Sequence, residues 1–204
     1  GTIAATTLTD ITGQTNGTVT AAAAGITISG NTTDLTAALV TTETNAVVAN
    51  GKVTITDTGN VAATVLSAIG NSTGGTVTAT GAITVTGTTE EITNALVTAS
   101  KLVVASNESA AVKFVGDNPT GAQLALINPK VSGTITLANN AQTFGGTAAQ
   151  MKAAFTGGLA GTQTGAVTIS DTSGTIAATT LTDITGPVSY THLTLPTTIE
   201  VDFS

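Results

Sequence analysis

The chain has 204 residues, a formal net charge of -7, 8% charged residues and only 2% aromatics. It contains no Cys, Trp or Arg, one His and five lysines, whereas Thr and Ala are its commonest residues. Its acidity and scattered lysines exclude a phosphate-backbone footprint and hence nucleic-acid binding. No apolar run approaches the roughly 20 residues of a bilayer span. The lack of Cys excludes a disulfide framework and thiolate metal sites, and abundant β-branched residues with few charges exclude disorder.

The predicted elements alternate between strand and helix. Strands are expected at Thr18-Val-Thr20, Ile26-Thr-Ile28, Val53-Thr-Ile55, Ile83-Thr-Val85 and Val167-Thr-Ile169. There Val or Ile alternates with Thr at period two, with the aliphatic side chains facing inward. Val112-Lys-Phe-Val-Gly116 belongs to the same set. Residues with helical spacing follow, such as Leu35, Ala38 and Leu39, or Val61, Val65, Leu66 and Ile69. Helix starts are expected near Thr2, Thr32, Asn60, Thr89, Pro119, Thr147 and Thr175, a period of about 29 residues. Thr88-Thr-Glu-Glu91 reads as a capping box, and Pro119 suits a first helical turn. Asp57-Thr58-Gly59 and Asp171-Thr172-Ser173 mark turns from strand into helix. The stretch Thr76–Val85 fits either a local hairpin or a strand–corner–strand arc. Residues around Gln142-Thr-Phe144 and Gly157–Gly165 fit the pattern poorly and are expected to be loops.

The repeats are explicit. GTIAATTLTDITG occupies both Gly1–Gly13 and Gly174–Gly186 without substitution. GTVT at Gly17 and Gly75 and GTIT at Gly133 recur at intervals of about 58 residues. Residues 1–186 therefore read as an α/β repeat solenoid, with stacked coils of about 29 residues, parallel strand ladders and short helices. Each long repeat holds two coils. An all-β parallel solenoid is the alternative. Uncapped coils at both ends imply end-to-end association.

Candidate chemistry is sparse. His192 is the only imidazole, so a Ser/His/Asp triad has no base outside the last segment. Glu90-Glu91, the adjacent acidic pair, sits in a first helical turn, where the helix dipole favours it. Asp57, Asp117 and Asp171 recur at coil corners. They read as helix caps or Asx turns, with calcium ligation from loop oxygens as the alternative. Gly70-Asn-Ser-Thr-Gly-Gly75 lacks the lysine of a phosphate loop. The pairs Thr18/Thr20, Thr54/Thr56, Thr76/Thr78, Thr84/Thr86 and Thr134/Thr136 would form a hydroxyl-and-methyl grid on a flat sheet. Such a grid resembles the ice-binding face of β-solenoid antifreeze proteins. The competing explanation is that Thr favours a solvated strand face.

Composition changes at Pro187: Tyr190, His192 and two of the four prolines fall within residues 187–204. Val188-Ser-Tyr-Thr-His-Leu-Thr-Leu-Pro-Thr197 resembles a translated transposon-end sequencing adapter, so residues 187–204 are expected to be a non-native tail. Together with a first residue other than Met, this implies a fragment of a longer metagenomic gene. TISDT or TITDT, a short Ala/Thr/Leu helix and then GTVT form a pattern similar to giant repeat proteins of bacterial surfaces, including marine cyanobacterial adhesin-like proteins. The resemblance covers most of residues 1–186. It implies a secreted, non-catalytic stalk or adhesive array whose partners are cell-surface glycans or neighbouring repeats, with no membrane insertion in this segment. Some relatives bind calcium through GGxGxDxUx repeats, a pattern absent here, and no cofactor is expected. An ice- or carbohydrate-binding solenoid is the alternative function.

Overall fold

A computed structural model describes residues 1–21, 25–41, 46–98, 101–104, 109–188, 193–196 and 199–203. The chain divides into two compact units, Gly1–Ala111 and Val112–Ser204. The first contains β1 (Thr2–Ala4), α1 (Ala5–Gly13), β2 (Val19–Thr20), β3 (Thr27–Gly30), α2 (Thr32–Leu39), β4 (Ala46–Val47), β5 (Lys52–Ile55), β6 (Gly59–Ala62), α3 (Ala63–Asn71), β7 (Val77–Ala79), β8 (Ile83–Gly87), α4 (Thr89–Thr93) and β9 (Leu102–Val104). A π-type turn, Asn94–Thr98, extends α4. The unit boundary falls within β10 (Ala110–Phe114). Beyond it lie α5 (Gly121–Ile127), β11 (Ile135–Thr136), β12 (Phe144–Gly146), α6 (Ala148–Phe155), β13 (Val167–Ile169), β14 (Thr175–Ala177), α7 (Ala178–Thr185), β15 (Leu193–Thr194) and β16 (Glu200–Asp202). The fold class is α/β, with short parallel ladders and seven α-helices among the described residues, so the all-β alternative does not hold.

In the first unit β1, β3, β5, β7 and β9 form one ladder in that order, and β6 pairs with β8. Ladder register gives rows of aliphatic side chains. Ile3, Ile28, Val53, Val77 and Leu102 lie opposite one another in succession. Ile28, Val53, Ile55, Val77 and Ala79 are buried, whereas Thr54 and Thr78 are only half-buried. The expected alternation is therefore realised: each inward Val or Ile contributes about 1.5–3 kcal/mol of burial, and Thr takes the opposite face. Leu35, Ala38, Leu66 and Ile69 close the core from the helices. Val61 belongs to strand β6 and not, as expected, to the helical face.

The second unit repeats the plan with larger side chains. Val112 lies opposite Ile135, and Phe144 opposite Val167, which lies opposite Leu193. Phe144 is fully buried and meets Phe155 edge-on, with ring centroids 5.2 Å apart. The stretch around Phe144, expected to be a loop, is thus core strand. Gly157–Gly165 holds no helix or named strand, as expected, but isolated bridges at Leu159 and Gln163 pin it. Gln163 is fully buried, and its Nε2 donates to the carbonyls of Ala160 and Gly161.

Two periods coexist. The helices start at Ala5, Thr32, Ala63, Thr89, Gly121, Ala148 and Ala178, within three residues of the expected positions. The six steps from Ala5 to Ala178 average about 29 residues. Short and long steps alternate, so the starts of every second helix, Ala5, Ala63 and Gly121, are evenly spaced at twice that period. Strand neighbours are closer in sequence: Thr2 lies opposite Thr27 and Thr27 opposite Lys52, steps of 25. Other ladder steps run from 23 (Val112 to Ile135) to 27 (Val19 to Ala46). The longer period therefore belongs to the helices and not, as expected, to the strands as well. A strand that begins beside its helix falls behind it by several residues per module. A fresh strand then enters: β5 turns through Asp57–Gly59 into β6, and β13 through Asp171–Gly174 into β14. These turns join strand to strand, a correction to the expected strand-to-helix turn. Gly59 and Gly174 adopt φ of 80° and 102°, the left-handed region that only glycine enters freely.

The same mismatch explains the GTVT markers. They lie in β2, β7 and β11, which belong to three different ladders. Thr76–Val85 is an arc, because β7 and β8 each pair in parallel with another strand and sit in different sheets. Thr120, not Pro119, caps α5, and Pro119 precedes the cap. Leu193–Thr194 and Glu200–Asp202, in the segment expected to be a tail, continue ladders on β13 and β14. Tyr190 and His192 lie outside the described residues.

Candidate functional site

The three corner aspartates are not brought together. Asp57 accepts from the Thr32 backbone N–H at 2.6 Å and from the Thr32 hydroxyl at 3.0 Å. It thus caps α2, the helix of the preceding module, 25 residues back. Asp171 does the same for α6, accepting from the Ala148 N–H at 2.6 Å, 23 residues back. A carboxylate at a helix N-terminus satisfies an orphan amide and meets the positive end of the dipole. The helix-cap reading holds for Asp57 and Asp171, with the helix supplied by the neighbouring module. Asp117 is exposed in the turn after β10. Among the described residues no group of three or more His, Cys, Asp or Glu could hold a metal ion.

Helix C-termini receive matching caps. Lys101 Nζ donates to the Gly70 carbonyl at 3.0 Å and to the Thr73 carbonyl, at the end of α3. Asn128 Nδ2 donates to the Ala153 carbonyl at 2.8 Å, at the end of α6. Lone polar residues carry no periodic signal, so sequence reading missed these two. The expected box at Thr88 and Glu91 is present, with Thr88 N–H donating to Glu91 Oε2 at 2.8 Å. Equivalent boxes join Thr120 to Gln123 and Thr147 to Gln150. Their T-x-x-Q pattern was readable.

The threonine pairs do not form one lattice. Thr54 and Thr78 are direct neighbours in register, with Ser29 beside Thr54. Thr56 and Thr76 flank those two strands. Thr84 and Thr86 face Asn60 and Ala62, Thr136 faces Lys113, and Thr20 faces Val47. Thr18 and Thr134 lie just before their strands. The ladders that carry the pairs differ, so among the predicted pairs threonine faces threonine over a single ladder step only, Thr54 to Thr78. Several hydroxyls are also taken up by the backbone: Thr80 Oγ1 donates to the Ile55 carbonyl at 3.2 Å and Thr36 Oγ1 to the Thr32 carbonyl at 2.7 Å. The groove between α2 and α3, lined by Thr32, Thr36, Ala37 and Val65, is accordingly faced largely with methyl groups.

Asp57, Asp171, Lys101 and Asn128 share a structural role, each closing the helix backbone of an adjacent module with a polar side chain. Among the described residues no helix is long and apolar enough to cross a membrane. No protein-family model, curated protein or solved structure matches the chain.

Proposed function

We propose that the chain is a segment of a repeat solenoid that serves as an extracellular stalk or adhesive array on a bacterial surface and has no catalytic role. The carrying observation is sequential stacking. Strands pair with the strand of the next module along the chain, and α1 packs on α2, α2 on α3, α5 on α6 and α6 on α7. A module of that size cannot bury both faces alone, and stacking completes its core. Caps reaching from module to module, such as Asp57 to α2 and Lys101 to α3, tie neighbours together. Such an array gives length and resistance to pulling, and its Thr-rich surface offers many weak contacts to cell-surface glycans or neighbouring repeats.

Single-molecule extension between terminal handles tests the mechanical reading. Modules held only by their neighbours release in steps of roughly 95–105 Å, the contour of about 29 residues at about 3.3–3.6 Å each. One all-or-none rupture of each unit would count against it. Probing a glycan array with the intact chain tests the adhesive reading, and uniform absence of binding would remove it.

A further inference from the structure

Between α3 and α4, inside the first unit, runs a groove of about 300 Å³ lined by Thr64, Ser67, Ala68, Asn71, Glu91 and Asn94. Both walls are in place, because α3 packs on α4, on the π-type turn that extends it and on α2. Thr64, Asn71 and Asn94 are exposed, and Ser67 and Glu91 are half-buried. Glu91 commits one carboxylate oxygen, Oε2, to the Thr88 N–H of the capping box. Among the described residues, the side chains of Thr64, Ser67, Asn71 and Asn94 make no hydrogen bond within the protein. Other helix hydroxyls behave differently. Those of Thr9, Thr36 and Thr93 donate to the carbonyl four residues back. Ser67 holds the position in α3 that Thr9 holds in α1, yet its hydroxyl is left for the groove.

The equivalent helix pairs lack this set. Counted from the helix starts, α1 and α2 carry Gly13 and Ala37 where Asn71 and Asn94 stand. α5 and α6 carry Ala122, Ala125, Pro129 and Ala153, and only Gln150, in place of Glu91, is polar. Those pairs stack without the asparagines, so packing does not require them. A second feature marks the same place. The π-type turn begins at Asn94 and is the only one among the described residues, and such turns gather at functional sites. We propose that the α3–α4 groove binds one neutral sugar unit of a glycan. The proposal rests on the adhesive reading above and gives it a location. Sugar hydroxyls both donate and accept, which matches the two hydroxyls, two carboxamides and remaining carboxylate oxygen, and the Ala68 methyl meets a C–H face. Glu91 with no lysine in the groove repels sulfate, phosphate and uronate groups. With no aromatic ring to stack on, the affinity is expected in the range of about 1–10 mM.

NMR titration of the isotope-labelled intact chain tests it, with free glucose, galactose, mannose and N-acetylglucosamine each taken to about 100 mM, well above the expected range. At least one sugar is expected to shift the side-chain amide signals of Asn71 and Asn94 and to saturate. The double variant Asn71→Ala/Asn94→Ala, followed at the backbone amides of Ser67 and Glu91, is expected to bind that sugar about tenfold more weakly or worse. Circular dichroism checks its fold. Ser67→Ala, which keeps both asparagines, provides a second variant should the first unfold, with an expected loss of about threefold or more. Absence of saturable shifts at Asn71 and Asn94 with all four sugars overturns the proposal. So does an unchanged affinity in the folded double variant, or movement of these signals by calcium chloride or sodium sulfate where no sugar moves them. A glycan array that the wild type and the double variant bind alike overturns this site and leaves the adhesive reading standing. An array blank for the wild type, beside saturable sugar shifts at Asn71 and Asn94, removes the adhesive reading and leaves the site.

Discussion

Gly1–Gly13 and Gly174–Gly186 are one sequence in two environments, and the difference isolates what neighbours contribute. Both copies form a three-residue strand followed at once by a helix, starting from an alanine N-cap without a side-chain cap. Local structure is thus set by the sequence itself. Burial is not: Leu8 is 1% accessible while Leu181 is half-buried, and Ile11 is exposed while Ile184 is fully buried. A short amphipathic helix with small residues around it carries two usable faces, and the adjacent module decides which one leaves water.

The sharpest break of this comparison is a charge at equivalent positions. Ile184→Asp buries a carboxylate and is expected to cost about 3 kcal/mol or more in urea unfolding. Ile11→Asp, the same change in the same sequence, is expected to stay within about 0.5 kcal/mol. Truncation should reverse the ranking. Leu8→Ala empties a site packed against α2 and is expected to cost about 2–4 kcal/mol, whereas Leu181→Ala should cost about 1 kcal/mol. Equal losses for both leucines would show that the two environments are energetically alike.

A smaller effect concerns the caps between modules. Asp57→Ala and Asp171→Ala are each expected to lose about 1 kcal/mol, and amide exchange at Thr32 and Ala148 should accelerate in the respective variants. If amides near the substituted aspartate change instead, the caps act within their own module. Smallest of all is the Lys152–Asp183 pair, whose side chains are 46% and 45% exposed. Lys152→Ala should change stability by less than about 0.5 kcal/mol, and less still in high salt.

Much of this was legible in the residues. Period-two Val/Thr alternation located β3, β5, β8 and β13, and the repeat placed the seven helix starts to within three residues, although Thr2, Asn60 and Thr175 themselves lie in the strands β1, β6 and β14. What the sequence obscured was register. Identical strings such as GTVT signal a half-buried strand wherever they occur, but pairing depends on how many residues the intervening helix and turns consume. The helix period exceeds the ladder step by several residues, so matching strings settle in different sheets. For the same reason the threonine pairs, regular on paper, scatter over several ladders. Asp57 and Asp171 were visible as corner residues with capping chemistry, but nothing in their local sequence says that the capped helix lies one module back. Phe144 was missed because Gln142 and Thr143 break the alternation just before it, and its ladder pairing opposite Val167 is what reveals a strand.

The ladder register carries the account, and a chain without native cysteines allows a direct cross-linking test. Thr27 and Lys52 lie opposite each other on β3 and β5, within the Cα separation that a disulfide spans, about 4.4–6.8 Å. Thr56 lies one full helix period beyond Thr27, where its partner would sit if strands and helices shared a single repeat length. The double variant Thr27→Cys/Lys52→Cys should oxidise quantitatively to an intramolecular disulfide under native conditions, while Thr27→Cys/Thr56→Cys should remain reduced. Efficient closure of the second pair with failure of the first would contradict the parallel register in which each strand faces the next.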